Sequence, residues 1–325
     1  MLRHFVIPTL AWVSLLAGSA PAAEPLPVKT VEHKADSVGR NMKYNIVLPA
    51  NYETSTERYP VLYLLHGLTS NYTAWAFMKV PEVAASYKLI IVMPDVGNSW
   101  YVNWAESAAG QKNQWEDYII KELIGHVDET YRTIAKREAR AINGLSMGGY
   151  GAIMLGLRHP DLFCSIGSHS GALAFADRSA ESVAQGEQPE FLRRPWTGEV
   201  NPKIKIEGFS SPAERTPQGK IFLTREQCDA HDPFKLVLAV ERAKLPYIYV
   251  DCGTDDGLIT SNQRFCRLLM ENNIPFTYGQ SRGGHVPPYW AREVAQSIAV
   301  QNLIIERSLA QAAKSAKSAA DAAGN

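Results

Sequence analysis

Apolar, β-branched runs alternate along this chain with longer amphipathic stretches, from about residue 28 to about residue 306. "VKTVEH" and "YNIVLP" read as two early strands lying close together. "VLYLLHG", "LIIVMPD", "RAINGLS", "CSIGSHSG", "YIYVDCG" and "PFTYGQS" follow at wider intervals, which makes eight strands in all. Between them lie "QWEDYIIKELIGHVDETY", the segment after Ser146, "SNQRFCRLLMENN" and "PYWAREVAQSIAVQNLIIERS", which carry the helical period. Short continuous apolar strands separated by helices are buried on both faces. The pattern therefore predicts an α/β fold: a mostly parallel sheet, joined by right-handed crossovers and flanked by helices.

Three stretches depart from this rhythm. Residues 172–232 hold many Pro, Gly, Ser and charged residues, as in "AQGEQPEFLRRPWTGEVNPK". A structureless loop of that length is rare in a compact domain unless it is functional, so it reads as an excursion over the top of the sheet. Residues 309–325 form a low-complexity tail, helical in part but with too little apolar surface to pack well. Residues 1–22 read as a signal peptide: a basic start "MLRHF", an apolar core "VIPTLAWVSLLAG", and Ala20 and Ala22 at the −3 and −1 positions of a cleavage site. The apolar core is shorter than the roughly 20 residues of a membrane span. The expected organisation is thus a signal over 1–22, one domain over 23–308 and the tail, with the mature chain secreted or periplasmic and not stably held by a membrane.

Composition changes this picture little. The 325 residues are 46% hydrophobic, enough for a full core, and Lys+Arg and Asp+Glu both total 33. That balance argues against nucleic acid or an anionic surface as partner. Cys164, Cys228, Cys252 and Cys266 are irregularly spaced, and read as buried free thiols. Neither Cys-x-x-Cys nor His-Glu-x-x-His occurs, so no metal site is expected.

The candidate chemistry centres on "INGLSMGGYGA", where Gly144-Leu145-Ser146-Met147-Gly148 matches G-x-S-x-G. Such a match arises by chance in about one chain of this length in ten, so its flanks decide. A strand runs into Ser146 and a small-residue helix leaves it, the setting of a sharp turn that lifts a hydroxyl clear of the backbone. The amide of Met147, at the helix N-terminus, would face a developing oxyanion. A nucleophilic serine needs a base, and the base an orienting carboxylate, here in the order Ser, acid, His. His285, in "QSRGGHVPPYW", is the one histidine in a loop after the last strand. His159 reads as a solvated residue at a helix end, and His169 as one that could line the site. His231 lies inside the excursion. The acid should follow "YIYVDCG", which leaves Asp255 and Asp256 as candidates. Gly257 gives the backbone beside Asp256 room to turn. The second oxyanion donor should come from "LLHGLTSNYTAW", with the Leu68 amide as the natural choice and His66 as a hydrogen-bonding loop residue.

"LLHGLTSNYTAW", "VMPDVGNSWYVNW", "INGLSMGGYGA", "VDCGTDDGLI" and "GGHVPPYW" occur in this order, and together they resemble the esterase D family of α/β-hydrolases. That family includes tributyrin esterases, S-formylglutathione hydrolases, carbohydrate acetyl and feruloyl esterases, and mycolyltransferases. The resemblance implies the α/β-hydrolase fold and a Ser146–Asp256–His285 triad, with the Leu68 and Met147 amides as oxyanion hole. It also implies substrate contacts from Asn98, Ser99 and Trp100, and a cofactor-free enzyme. The expected activity is hydrolysis of short-chain acyl esters, acetyl or feruloyl groups on carbohydrate among them. An acyltransferase, an S-formylglutathione-type thioesterase and a non-catalytic binding protein on the same scaffold are the alternatives.

Overall fold

The computed structural model describes residues 24–187 and 217–323. The proposed signal segment and the middle of the 172–232 excursion lie outside them. Eight strands form the main sheet: β1 (Val28–Ala35), β2 (Arg40–Val47), β3 (Val61–Leu65), β4 (Ile90–Pro94), β6 (Arg140–Gly144), β7 (Ser165–His169), β9 (Tyr247–Gly253) and β10 (Phe276–Ser281). Their order is β1-β2-β4-β3-β6-β7-β9-β10. The β1–β2 and β2–β4 pairs are antiparallel, and every other pair is parallel. All eight strands stand where the apolar runs place them. A second, two-stranded ribbon pairs β5 (Glu106–Ser107) with β8 (Gly219–Lys220). Two residues are too few for any periodicity, so this ribbon has no signature in the sequence.

Alternation along the central strands splits the core into two layers. Val61, Tyr63 and Leu65 of β3 join one apolar cluster with Ile90 and Val92 of β4, and Leu62, Leu64, Ile91 and Met93 join the other. The first layer is covered by the helix Met147–Arg158 and by a helical stretch of three parts, Trp115–Asp117, Tyr118–Leu123 (a π-helical turn) and Ile124–Thr130. The second is covered by Trp290, Val294, Ile298 and Ile305 of the helix Pro287–Ala323, and by Trp75 and Val80. From Ala310 onward the described side chains of that helix are all exposed, although the helix crosses residue 309 without a break.

The described ends of the excursion are ordered against the core. The helix Phe175–Ala184 buries Phe175, Ala176 and Ala180, and Ile221, Phe222 and Cys228 join the first layer. All four cysteines are free and buried. His159 departs from its expected solvated role. Its Nε2 lies 2.6 Å from Oε1 of the buried Glu116, which also accepts from Arg158 Nε at 3.0 Å. A sequence reading places His159 at a helix end but has no access to a carboxylate 43 residues away.

Candidate active site

The turn after β6 is held by backbone bonds on both sides. The Leu145 amide donates to the Leu65 carbonyl at 3.1 Å, and the Ser146 amide to the His169 carbonyl at 2.9 Å. Between these anchors Ser146 adopts φ 55° and ψ −117°, a conformation that a non-glycine residue holds at a cost of about 1–3 kcal/mol. The turn is so tight that a Cβ on Gly144 would stand 2.3 Å from the Gly148 carbonyl carbon, and one on Gly148 would stand 2.4 Å from the Leu65 carbonyl oxygen. Backbone cannot yield as a side-chain tip can. Gly148→Ala is therefore expected to cost about 2–4 kcal/mol, read as a lowered denaturation midpoint. An unchanged midpoint would show that the turn opens without penalty.

His285 sits in the loop between β10 and the helix Pro287–Ala323. Its Nε2 is 2.9 Å from Ser146 Oγ, and its Nδ1 is 2.9 Å from Asp256 Oδ2. A carboxylate can only accept, so the proton sits on Nδ1, and Nε2 is left to accept from the serine hydroxyl. Asp256 is 3% exposed, and its Oδ1 accepts from the Leu258 amide at 2.8 Å. Burial raises its pKa, but the bonds from His285 and the Leu258 amide, with the neighbouring Ser170 hydroxyl, outweigh burial and hold it below the usual carboxylate value. Asp255 is exposed, and among the described residues its carboxylate accepts a hydrogen bond only from its neighbour Thr254. A Cβ on Gly257 would meet nothing within 4 Å, and its φ is not positive, so this turn does not depend on it. Trp290 stands edge-to-face with the imidazole, with ring centroids 4.9 Å apart.

The loop after β3 lies beside the serine. A Cβ on Gly67 would stand 3.2 Å from Ser146 Cβ. His66 is 1% exposed and holds this loop: Nδ1 donates to the Gly67 carbonyl at 2.8 Å, and Nε2 accepts from the Val96 amide at 3.1 Å. Tyr101 Oη donates to the His66 carbonyl at 2.8 Å. Among the described residues, neither the Leu68 nor the Met147 amide donates to a protein acceptor. Asn98, Ser99 and Trp100 are all buried. Asn98 Oδ1 accepts from the Thr69 amide at 2.7 Å, Ser99 Oγ accepts from the Tyr101 amide at 3.2 Å, and Trp100 stacks on Phe175 with centroids 3.7 Å apart. Of the three, Asn98 bonds the loop beside the serine. His169, read as a residue that could line the site, is fully buried beneath it. No group of three or more His, Cys, Asp or Glu suited to a metal ion occurs among the described residues.

Comparison with known proteins finds relatives among the esterases. The Esterase family, described as "Putative esterase", matches residues 35–299. An esterase of Mycobacterium tuberculosis (strain ATCC 25618 / H37Rv) is 28% identical over 265 residues, which cover 78% of this chain and 54% of that protein. The chain thus spans about half the length of that relative. An acetyl esterase of Caldicellulosiruptor saccharolyticus is 25% identical over 246 residues, covering 75% of this chain and 84% of that protein. A solved ferulic acid esterase superposes with a TM-score of 0.63 at 26% identity, over 87% of this chain and 99% of its own. The fold is that of the α/β-hydrolases.

Proposed function

This chain belongs to the Esterase family, and from that premise we propose that it is a serine esterase cleaving short-chain acyl esters through an acyl-enzyme on Ser146. The observation that carries the reading is the unbroken chain from Ser146 Oγ through His285 to Asp256, with both contacts at 2.9 Å, on a strained turn. In the proposed reaction His285 Nε2 takes the hydroxyl proton as Oγ attacks the ester carbonyl carbon. The carbonyl oxygen becomes an oxyanion, and the Leu68 and Met147 amides, which meet no acceptor among the described residues, donate to it. His285 then protonates the departing alcohol. Asp256 keeps the ring in the right tautomer and balances its transient charge. Water repeats the sequence on the acyl-enzyme and releases the acid. Asn98, Ser99 and Trp100 act by shaping the rim on which the substrate rests.

The acyl group is proposed to be short, two to about six carbons, because the sequence of residues 172–232 offers no long apolar run to sheath a lipid tail. Acetyl or feruloyl esters of carbohydrate fit the names of the acetyl esterase and ferulic acid esterase relatives. A panel of p-nitrophenyl acetate through decanoate, acetylated xylan, methyl ferulate and S-formylglutathione tests this. Higher kcat/KM on butyrate than on decanoate is expected, and the reverse order overturns the short-chain reading. Preference for S-formylglutathione would make the enzyme a thioesterase, and partition of product to an added alcohol would make it an acyltransferase. Failure of a fluorophosphonate to label Ser146 would leave only a binding protein. Among the described residues no helix is long and apolar enough to cross a membrane. Export by cleavage after Ala22 is proposed from "SAPAAE", and N-terminal sequencing of the mature chain tests it.

A further inference from the structure

A second buried acid and histidine lie beneath Ser146, and the reaction above makes no use of them. His169 and Asp251 end up opposite one another on the parallel strands β7 and β9. Both are fully buried, with His169 Nδ1 2.6 Å from Asp251 Oδ2. Tyr249 Oη donates to Asp251 Oδ2 at 2.9 Å, and Tyr289 Oη to Oδ1 at 3.2 Å. On its other side His169 Nε2 meets Ser297 Oγ at 2.8 Å and Asn143 Nδ2 at 3.2 Å. A carboxylate without solvent is tolerated only with such partners. Core apolar residues would have filled this space at lower cost, so what these partners hold is informative.

One end of the cluster bonds the serine turn, and the other packs against the loop that carries His285. The His169 carbonyl accepts the Ser146 amide at 2.9 Å, and Asn143 Oδ1 accepts the Gly144 amide at 2.7 Å. Tyr289 and Ser297 both belong to the helix that follows His285. The ring of Tyr289 also props the histidine loop, since a Cβ on Gly283 would stand 2.5 Å from its Cδ2. From Gly283 the contact passes to the acid loop, through the Asp255 amide bonded to the Gly283 carbonyl at 2.9 Å.

We propose that Asp251 and His169 are positioning residues, a buried clamp that sets the separation of Ser146 Oγ from His285 Nε2. This rests on Ser146 and His285 being the reacting pair. Ser146 sits on a strained turn that persists only while its surroundings over-determine it. Misplacing reacting groups by about 1 Å can lower the rate about 100-fold. Asp251 Oδ2 lies 2.6 Å from the residue whose carbonyl holds the serine amide, and Oδ1 accepts from the tyrosine beneath the histidine loop.

Two conservative variants separate clamping from plain core stability. Tyr289→Phe and Tyr249→Phe each delete one hydroxyl bonded to Asp251, but only Tyr289 lies on the helix behind His285. The readouts are kcat and KM on p-nitrophenyl acetate per titrated active site, the rate of inactivation by a fluorophosphonate, and the thermal midpoint. Titration counts only folded, reactive enzyme, so partial misfolding does not mimic the effect. Tyr289→Phe should lose about tenfold in kcat and in labelling rate with KM within about twofold, while Tyr249→Phe keeps kcat within about twofold. Both should lose thermal stability. If wild type labels at Ser146 but Tyr289→Phe keeps its kcat, or the two variants lose kcat alike, the clamp is refuted and the reacting pair stands. If wild type does not label at Ser146, both readings fall.

Discussion

Ser146→Ala is expected to lose nearly all ester turnover while the protein stays folded. The hydroxyl oxygen is the atom 2.9 Å from His285 Nε2, and alanine has nothing to put there. What remains is the oxyanion hole and substrate binding, so kcat should fall by about 10⁴ or more, roughly 5.5 kcal/mol of transition-state stabilisation. KM should change little, because the lost bond acts on the reacting atoms and not on the resting substrate. Stability should also change little. Alanine keeps the Cβ and must adopt the same φ of 55°, so the strain stays and only one hydrogen bond is removed. The measurement is kcat on p-nitrophenyl acetate alongside the thermal midpoint. Turnover near that of wild type at an unchanged midpoint would end the serine-hydrolase reading.

Asp256→Asn should cripple catalysis almost as deeply, and Asp255→Asn should not. In an amide the Oδ2 position can become an NH₂ that donates towards Nδ1. The imidazole then carries its proton on Nε2 and can no longer accept from Ser146. A wrong tautomer in such a triad costs up to about 10⁴ in kcat. Asp255 is exposed, so its amide should keep kcat within about twofold and change stability by less than about 1 kcal/mol. Both variants are assayed at one pH on one ester. If Asp255→Asn is the inactive one, the orienting carboxylate is not the one bonded to His285. Stability adds a second signature. The Asp256 pKa is depressed in the folded protein, so its contribution is complete above the unfolded value of about 4 and is lost as pH falls through the lower folded value. Wild type and Asp256→Asn should therefore converge in thermal midpoint as the solution becomes acid.

Much of the site is legible in the residues themselves, for reasons that differ from one to the next. Ser146 stands out because its turn demands glycines two residues to either side, a local steric rule. His285 stands out by elimination, because chain order on this architecture restricts the base to the last loop. The acid narrows, from the strand that precedes it, only to one of two residues. Burial separates them: Asp256 is enclosed against Leu258 and His285, whereas Asp255 faces water, and Asp256 is the one proposed as the orienting acid. The turning role that the sequence suggests for Gly257 is not supported by the open space around it.

Local rules account for the eight strands, their mostly parallel class, the strained serine and the loops that carry its partners. Hydrophobic period, glycine sterics and the order of elements all act along one chain, so each leaves a mark in the sequence. How His169 and His159 are used depends instead on packing across the fold. His169 reads as available to the site and is buried beside Asp251, 82 residues away in sequence and 2.6 Å away in space. His159 reads as solvated and is bonded to Glu116. A buried contact between an acid and a histidine has no periodicity and no spacing to announce it. Its members are brought together by strand register and helix packing, and its energy depends on excluded water, which no stretch of sequence records.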